Sequence, residues 1–187
     1  MGFTREQLAA YEGKTVDDLL GPDVRLLFVG INPGLWTAAT NTHFCHPSNR
    51  FYPALRAAGL IDWAMDTSVG MTDEEKSRFA QTGIGITNLV PGATVRASEL
   101  TRDELRKGAL RVRRVVDDVD PLVVAVAGLT AYRTAFDRAR AVLGRQPEPI
   151  CDSELWVVPN PSGLNAHETI DSLAGWYRRV AGAAGLL

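Results

Sequence analysis

Apolar residues along this chain fall into two rhythms. Four short runs, VRLLFVG (24–30), GIGITNLV (83–90), PLVVAVAG (121–128) and ELWVVPN (154–160), are rich in Val, Ile and Leu. They mostly lack strict apolar/polar alternation, which predicts strands covered on both faces. Between them the spacing turns helical. SNRFYPALRAAG opens at Ser48 as a helix N-cap and stops at Gly59, and TDEEKSRFAQ sets Thr72 ahead of a run of acids, both suited to helix ends. TRDELRKGALRVRRVVDDV opens on Thr101-x-x-Glu104, a capping-box pattern, and lays Leu105, Leu110, Val112, Val115, Val116 and Val119 roughly along one side. LTAYRTAFDRARAVL follows the third run, and HETIDSLAGWYRRVAGAAG closes the chain. The alternation predicts a single α/β domain over 1–187, a three-layer sandwich with a largely parallel sheet of about four to five strands between helices. Residues 144–153 read as a proline-bearing surface loop. Ligand sites in such sheets lie beyond the carboxyl ends of the strands, so GINPG (30–34) and NPSGLN (160–165) are expected to face each other across one cleft.

Composition narrows the picture. With 187 residues, 45% hydrophobic and 22% charged, the chain reads as a soluble globular protein with one sizeable core. It has no apolar run long enough for a bilayer, and its amino-terminal stretch is charged and amphipathic, so a cytoplasmic location is expected. A net charge of −2 argues against coating nucleic acid by charge alone. Arginines and Lys107 crowd residues 96–114, but acids are interleaved, which suits a solvated helix with pairs such as Asp103–Lys107. Cys45 and Cys151 cannot make a four-ligand metal or iron–sulfur site by themselves, and no disulfide framework is expected.

Two loops carry candidate chemistry. In GINPG, Gly30 and Gly34 let backbone approach a ligand, and Pro33 fixes its φ beside Asn32. The asparagine is no general base, but it offers an acceptor and two donors that can orient a water or a polar ring. Satisfying its own turn is the plainer role for it. Phosphate-loop and dinucleotide fingerprints are missing. In VVPNPSGLN, Ser162-Gly163-Leu164 follow Asn160-Pro161, ahead of a helix that Asn165 can cap. A leucine at a glycine-hinged tip suits either a wedge for a base stack or a staple onto the last helix. Ser162 lacks a nucleophile-elbow motif. The four tryptophans are expected in the core.

GINPGL, HFCHPSNRFY and PNPSGL, in this order and spacing, resemble the mismatch-specific uracil-DNA glycosylase family, bacterial relatives of thymine-DNA glycosylase. The similarity runs from about Val16 to the last helix. It implies a monofunctional DNA-repair enzyme without metal or cofactor, which hydrolyses the N-glycosidic bond of uracil or related damaged bases opposite guanine. The partner implied is duplex DNA with a G·U or related lesion, and a monomer is the simple expectation. Asn32 matches the asparagine that positions the attacking water. Phe44 matches the aromatic that stacks on the flipped base, and Gly30 and Ile31 match the loop lining its pocket. Asn160 opens the second motif, where distant relatives carry a catalytic histidine, and so stands as a second catalytic candidate. Gly163 and Leu164 match the wedge that fills the duplex. Asn165-Ala166 stand where some relatives have Ser-Arg, and Asn88 where a close relative has lysine. Asn49, Ser162 and Arg50, with backbone amides, are candidate donors to substrate or phosphate. Two readings compete with this one: a weakly catalytic recognition protein on the same fold, and a small-molecule nucleotide-binding enzyme.

Overall fold

The computed structural model describes residues 2–187. The four apolar runs form the parallel strands β1 (Leu26–Gly30), β2 (Ile84–Asn88), β3 (Val123–Ala127) and, at one side, β5 (Glu154–Val158). A two-residue strand inside the expected surface loop, β4 (Gly144–Arg145), pairs antiparallel with β5 and shields its edge, giving the order β2-β1-β3-β5-β4. Every residue of β1, β2 and β3 is buried, which is why their sequences run apolar without alternation.

The pleat nevertheless sorts them. Leu26 and Phe28 point into one core with Leu55, Phe79 and Tyr177, whereas Leu27 and Val29 point into another with Val112, Val116 and Tyr132. Helices α3 (Phe51–Ala57), α4 (Asp73–Ala80) and α7 (Ile170–Ala183) supply residues to the first, while α5 (Arg102–Val119) and α6 (Leu129–Ala135) cover the second. Two short helices, α1 (Arg5–Ala9) and α2 (Leu35–Thr40), complete the described chain. The result is the three-layer α/β arrangement that the alternation predicts.

Helix starts follow their caps. Thr72 and Thr101 cap α4 and α5 through the expected boxes, with the N–H of Glu75 or Glu104 donating to the threonine Oγ1. Two expected starts move. The third helix begins at Phe51 rather than after Ser48, because Asn49 Oδ1 accepts from the Phe51 N–H at 2.9 Å. The last begins at Ile170, capped by Thr169 and not by Asn165, whose side chain is turned back to the loop. Helix α6 also stops sooner than its apolar spacing suggests, since Asp137 takes a left-handed φ of 54°.

All four tryptophans are half-buried at the margins rather than in the core. Trp63, Trp156 and Trp176 flank the first core, and Trp36 packs edge-on against Phe3 and His46. Both cysteines are free, Cys45 buried and Cys151 exposed. Among the described residues no helix is long and apolar enough to cross a membrane.

Candidate active site

The chain runs from β1 to β2 on one side and places β3 on the other side of β1. This reversal opens a crevice beyond the carboxyl ends of β1 and β3. Gly128, just after β3, is its floor. A Cβ there would sit 3.3 Å from Ile31 Cδ1 and 3.9 Å from Asn160 Cβ, so the loops after β1 and β5 meet over this one glycine. Its φ of 122° is a conformation that other residues rarely adopt. Ile31 of GINPG and Asn160 of NPSGLN thus stand beside the same glycine.

The loop after β2 closes on the loop after β1. Leu89 and Val90 donate N–H bonds to the carbonyls of Gly30 and Ile31, both at 2.9 Å, and the Thr94 N–H reaches Pro33 O at 3.2 Å. Asn32 is held inside this zipper. Its Nδ2 donates to Thr94 Oγ1 at 2.8 Å, Pro33 O at 3.0 Å and Gly92 O at 3.3 Å. Two of those partners are carbonyls, and Thr94 Oγ1 gives its own proton to Arg96 O at 2.9 Å. The amide therefore has one workable orientation, nitrogen inward and Oδ1 outward as an acceptor. Asn32 satisfies its own turn, and that turn is also what fixes the acceptor.

Phe44 lies half-buried with its ring stacked on Phe51, centroids 4.2 Å apart and planes at 22°. Phe51 in turn meets Phe28, Tyr52 and Tyr177 edge-on, so the upper ring rests on a rigid aromatic stack. Phe44 takes a left-handed φ of 54°, costly for a bulky side chain by about 1–3 kcal/mol. Neighbouring carbonyls pin it there: Tyr52 Oη donates to His43 O at 2.7 Å, and Thr37 Oγ1 to Cys45 O at 3.2 Å.

Gly30 explains itself at this point. A Cβ on it would overlap Asn88 Oδ1 and stand 3.1 Å from the Phe44 ring. Asn88 and the aromatic platform therefore press on the same glycine. His43 sets the direction of the Asn88 amide. The buried His43 places Nε2 2.8 Å from Asp17 O, a carbonyl that only accepts, so that nitrogen carries the proton. Burial pushes the histidine pKa down, keeping the ring neutral; the hydrogen bond to Asp17 O and the charge of Asp18 only partly offset this. Its Nδ1 is then the acceptor for Asn88 Nδ2 at 3.0 Å. Asn88 Oδ1 is left facing Gly30 and the platform. Burial between a histidine and a glycine was not legible in a sequence that shows Asn88 only at a strand end.

The second loop is tied internally. Asn160 Oδ1 accepts from the Ser162 N–H at 3.0 Å, which leaves Nδ2 as the donor end of the amide. Ser162 Oγ accepts from the Leu164 N–H at 3.3 Å, and Asn165 Nδ2 returns to Asn160 O at 3.0 Å. Leu164 is 93% exposed, so it does not staple the last helix. Asn49 Oδ1 accepts from the Phe51 N–H at the start of α3. Arg50 is turned away from the cleft, its guanidinium bonded to the carbonyls of Ser162, Asn165 and Glu168. It is committed to its own chain rather than offered to a phosphate. Among the described residues no cluster of His, Cys, Asp and Glu could hold a metal.

A family model, the uracil DNA glycosylase superfamily, matches residues 18–180 and so spans nearly the whole fold just described. The chain belongs to this superfamily. Its architecture is similar to the solution structure of a proposed uracil DNA glycosylase from Methanosarcina acetivorans. The TM-score is 0.59 and the identity 16%, over 91% of this chain and 98% of that one. At that identity the likeness concerns the fold alone. Uracil DNA glycosylases are DNA-repair hydrolases of base–sugar bonds, and the superfamily match supports a DNA partner and this class of reaction.

Proposed function

We propose that this uracil DNA glycosylase superfamily member is a monofunctional N-glycosylase of the mismatch-specific type. It flips uracil and related damaged bases, above all opposite guanine, out of duplex DNA and hydrolyses their glycosidic bond. The orientation of Asn32 carries the proposal: an acceptor oxygen, fixed by three bonds to its nitrogen, at the mouth of a strand beside an aromatic platform.

The base enters first. Extrusion costs a few kcal/mol, least at a mismatch, and the exposed Leu164 offsets part of it by filling the vacated space. Stacking on Phe44 contributes about 1–3 kcal/mol. Uracil presents an N3–H donor on its pairing edge, and Asn88 Oδ1 is the acceptor for it; Gly30 and Ile31 give the ring room. A water that donates one hydrogen to Asn32 Oδ1 keeps its lone pair directed at C1′. Its oxygen bonds to C1′ as the C1′–N1 bond breaks, the electron pair leaves on uracil, and the water gives up a proton to solvent or to the departing base. Asn160 Nδ2 donates to the carbonyl oxygen on which the charge gathers. Asn49, Ser162 and the backbone around Gly163 and Asn165 meet the sugar–phosphate chain, Asn165 by holding the loop in shape. The protein acts as a monomer in the cytoplasm, on DNA of the nucleoid.

The decisive experiment is single-turnover cleavage of labelled G·U, A·U and G·T duplexes by wild type and Asn32→Ala. G·U is expected to be cut fastest, and loss of the water-orienting amide to slow it on the order of 100-fold or more. Cleavage that survives the substitution would move the role to Asn160. Binding of G·U duplex without any cleavage would leave a recognition protein.

A further inference from the structure

We infer that Arg50, together with the Ser48–Gly163 contact beside it, positions the Leu164 wedge, and that it thereby governs how well a base is drawn from a paired duplex. This rests on the glycosylase reading above. The loop around Leu164 converges on one residue, its guanidinium meeting three carbonyls and its backbone N–H a fourth. The Arg50 N–H donates to Pro161 O at 3.0 Å; its Nη2 donates to Ser162 O at 2.5 Å and Asn165 O at 2.7 Å, and its Nη1 to Glu168 O. Four carbonyls between 161 and 168 thus face one residue, while the leucine between them is 93% exposed. Residues 161–168 form no helix or strand of their own, so these bonds supply what a backbone ladder supplies elsewhere.

The second restraint acts from the neighbouring turn. A Cβ on Gly163 would lie 2.7 Å from both Ser48 Cβ and Ser48 O, so only glycine lets the loop seat against that turn. The same few residues lead into Phe51, on which the Phe44 platform rests. Arg50 therefore sets wedge and platform in one frame. A planar guanidinium can serve several carbonyls in a fixed fork. A lysine ammonium keeps the charge but not the fork. Arg50 is a positioning residue, since it acts through Leu164.

The test separates extrusion from chemistry. Cleavage is measured on a G·U duplex and on a duplex with a pyrene nucleotide opposite uracil, where the bulky ring fills the stack and displaces the base without a wedge. Arg50→Lys is expected to lose tenfold or more on G·U and to stay within threefold of wild type on the pyrene duplex. Ser48→Thr, which crowds Gly163 and displaces the same loop from its other side, is expected to show the same pattern. It decides the matter if the arginine variant does not melt cooperatively. In the Leu164→Ala background, Arg50→Lys should add little further loss on G·U. Equal slowing on both duplexes, or none on G·U, overturns the inference and leaves the glycosylase reading intact. A wild-type protein that cleaves neither duplex sinks both.

Discussion

Two asparagines in the cleft are turned by what holds their nitrogens. Asn32 is held by Thr94 and two carbonyls, Asn88 by a histidine whose own proton is spent on Asp17 O. In the proposed reaction one oxygen serves a water and the other a base. The shared glycine makes this arrangement testable at one atom. Gly30→Ala is expected to push Asn88 and Phe44 apart, costing about 1–3 kcal/mol of stability by overpacking. It should weaken cleavage more than it lowers the melting temperature, measured by single-turnover assay beside thermal unfolding. An alanine variant with full activity would mean that Asn88 does not read the base. At this scale the sequence was partly legible. Asn32, Phe44 and Leu164 stood out through their motifs. His43 did not, and Asn88 and Arg50 were noted without the bonds that hold them, because the partners of these three lie 26, 45 and 112 or more residues away.

Elements were more legible than residues. Capping boxes at Thr72 and Thr101 name the first turns of α4 and α5 because the partners lie three residues apart. Thr101→Ala is expected to cost about 1 kcal/mol, lowering Tm by about 2–4 °C in a domain of this size, as calorimetry would show. The strands were found because burial on both faces demands continuous apolar runs. What escaped the pattern was short or set by distant contacts. β4 has only two residues, and the start of α7 depends on Thr169 while Asn165 is drawn back to Asn160 O. The basic segment also resolved differently from its sequence. Arg111 leaves the solvated face to bind Asp18 at 2.7 Å, and donates to Thr87 and Asn88 O at the end of β2. Both members are largely shielded from solvent. Arg111→Met is therefore expected to destabilise by about 1–3 kcal/mol, between a surface pair and a buried one, measurable by urea unfolding.

For the whole molecule, the buried His43 links acidity to stability. Its folded pKa lies below the ordinary value of about 6.5, chiefly through burial. The unfolded chain thus binds a proton that the native state refuses. The stability due to the neutral ring is complete above about pH 6.5 and is lost as pH falls below that value. Partial burial of His46 acts in the same direction. Urea midpoints measured between pH 7.5 and 5 should fall with acidity, and less steeply in His43→Gln. Equal slopes would remove His43 from the account. An overall charge of −2 suits the proposed grip on a few nucleotides rather than on a long tract.

The strand order has a metric consequence. β1 and β5, whose ends launch Asn32 and Asn160, are separated by β3 alone. Two interstrand spacings, about 10 Å, therefore gauge the gap between the two loop roots. That gauge is cut by backbone hydrogen bonds and is indifferent to side chains. Substitutions in the loops can alter which base is accepted, but the width offered to it is inherited from the sheet.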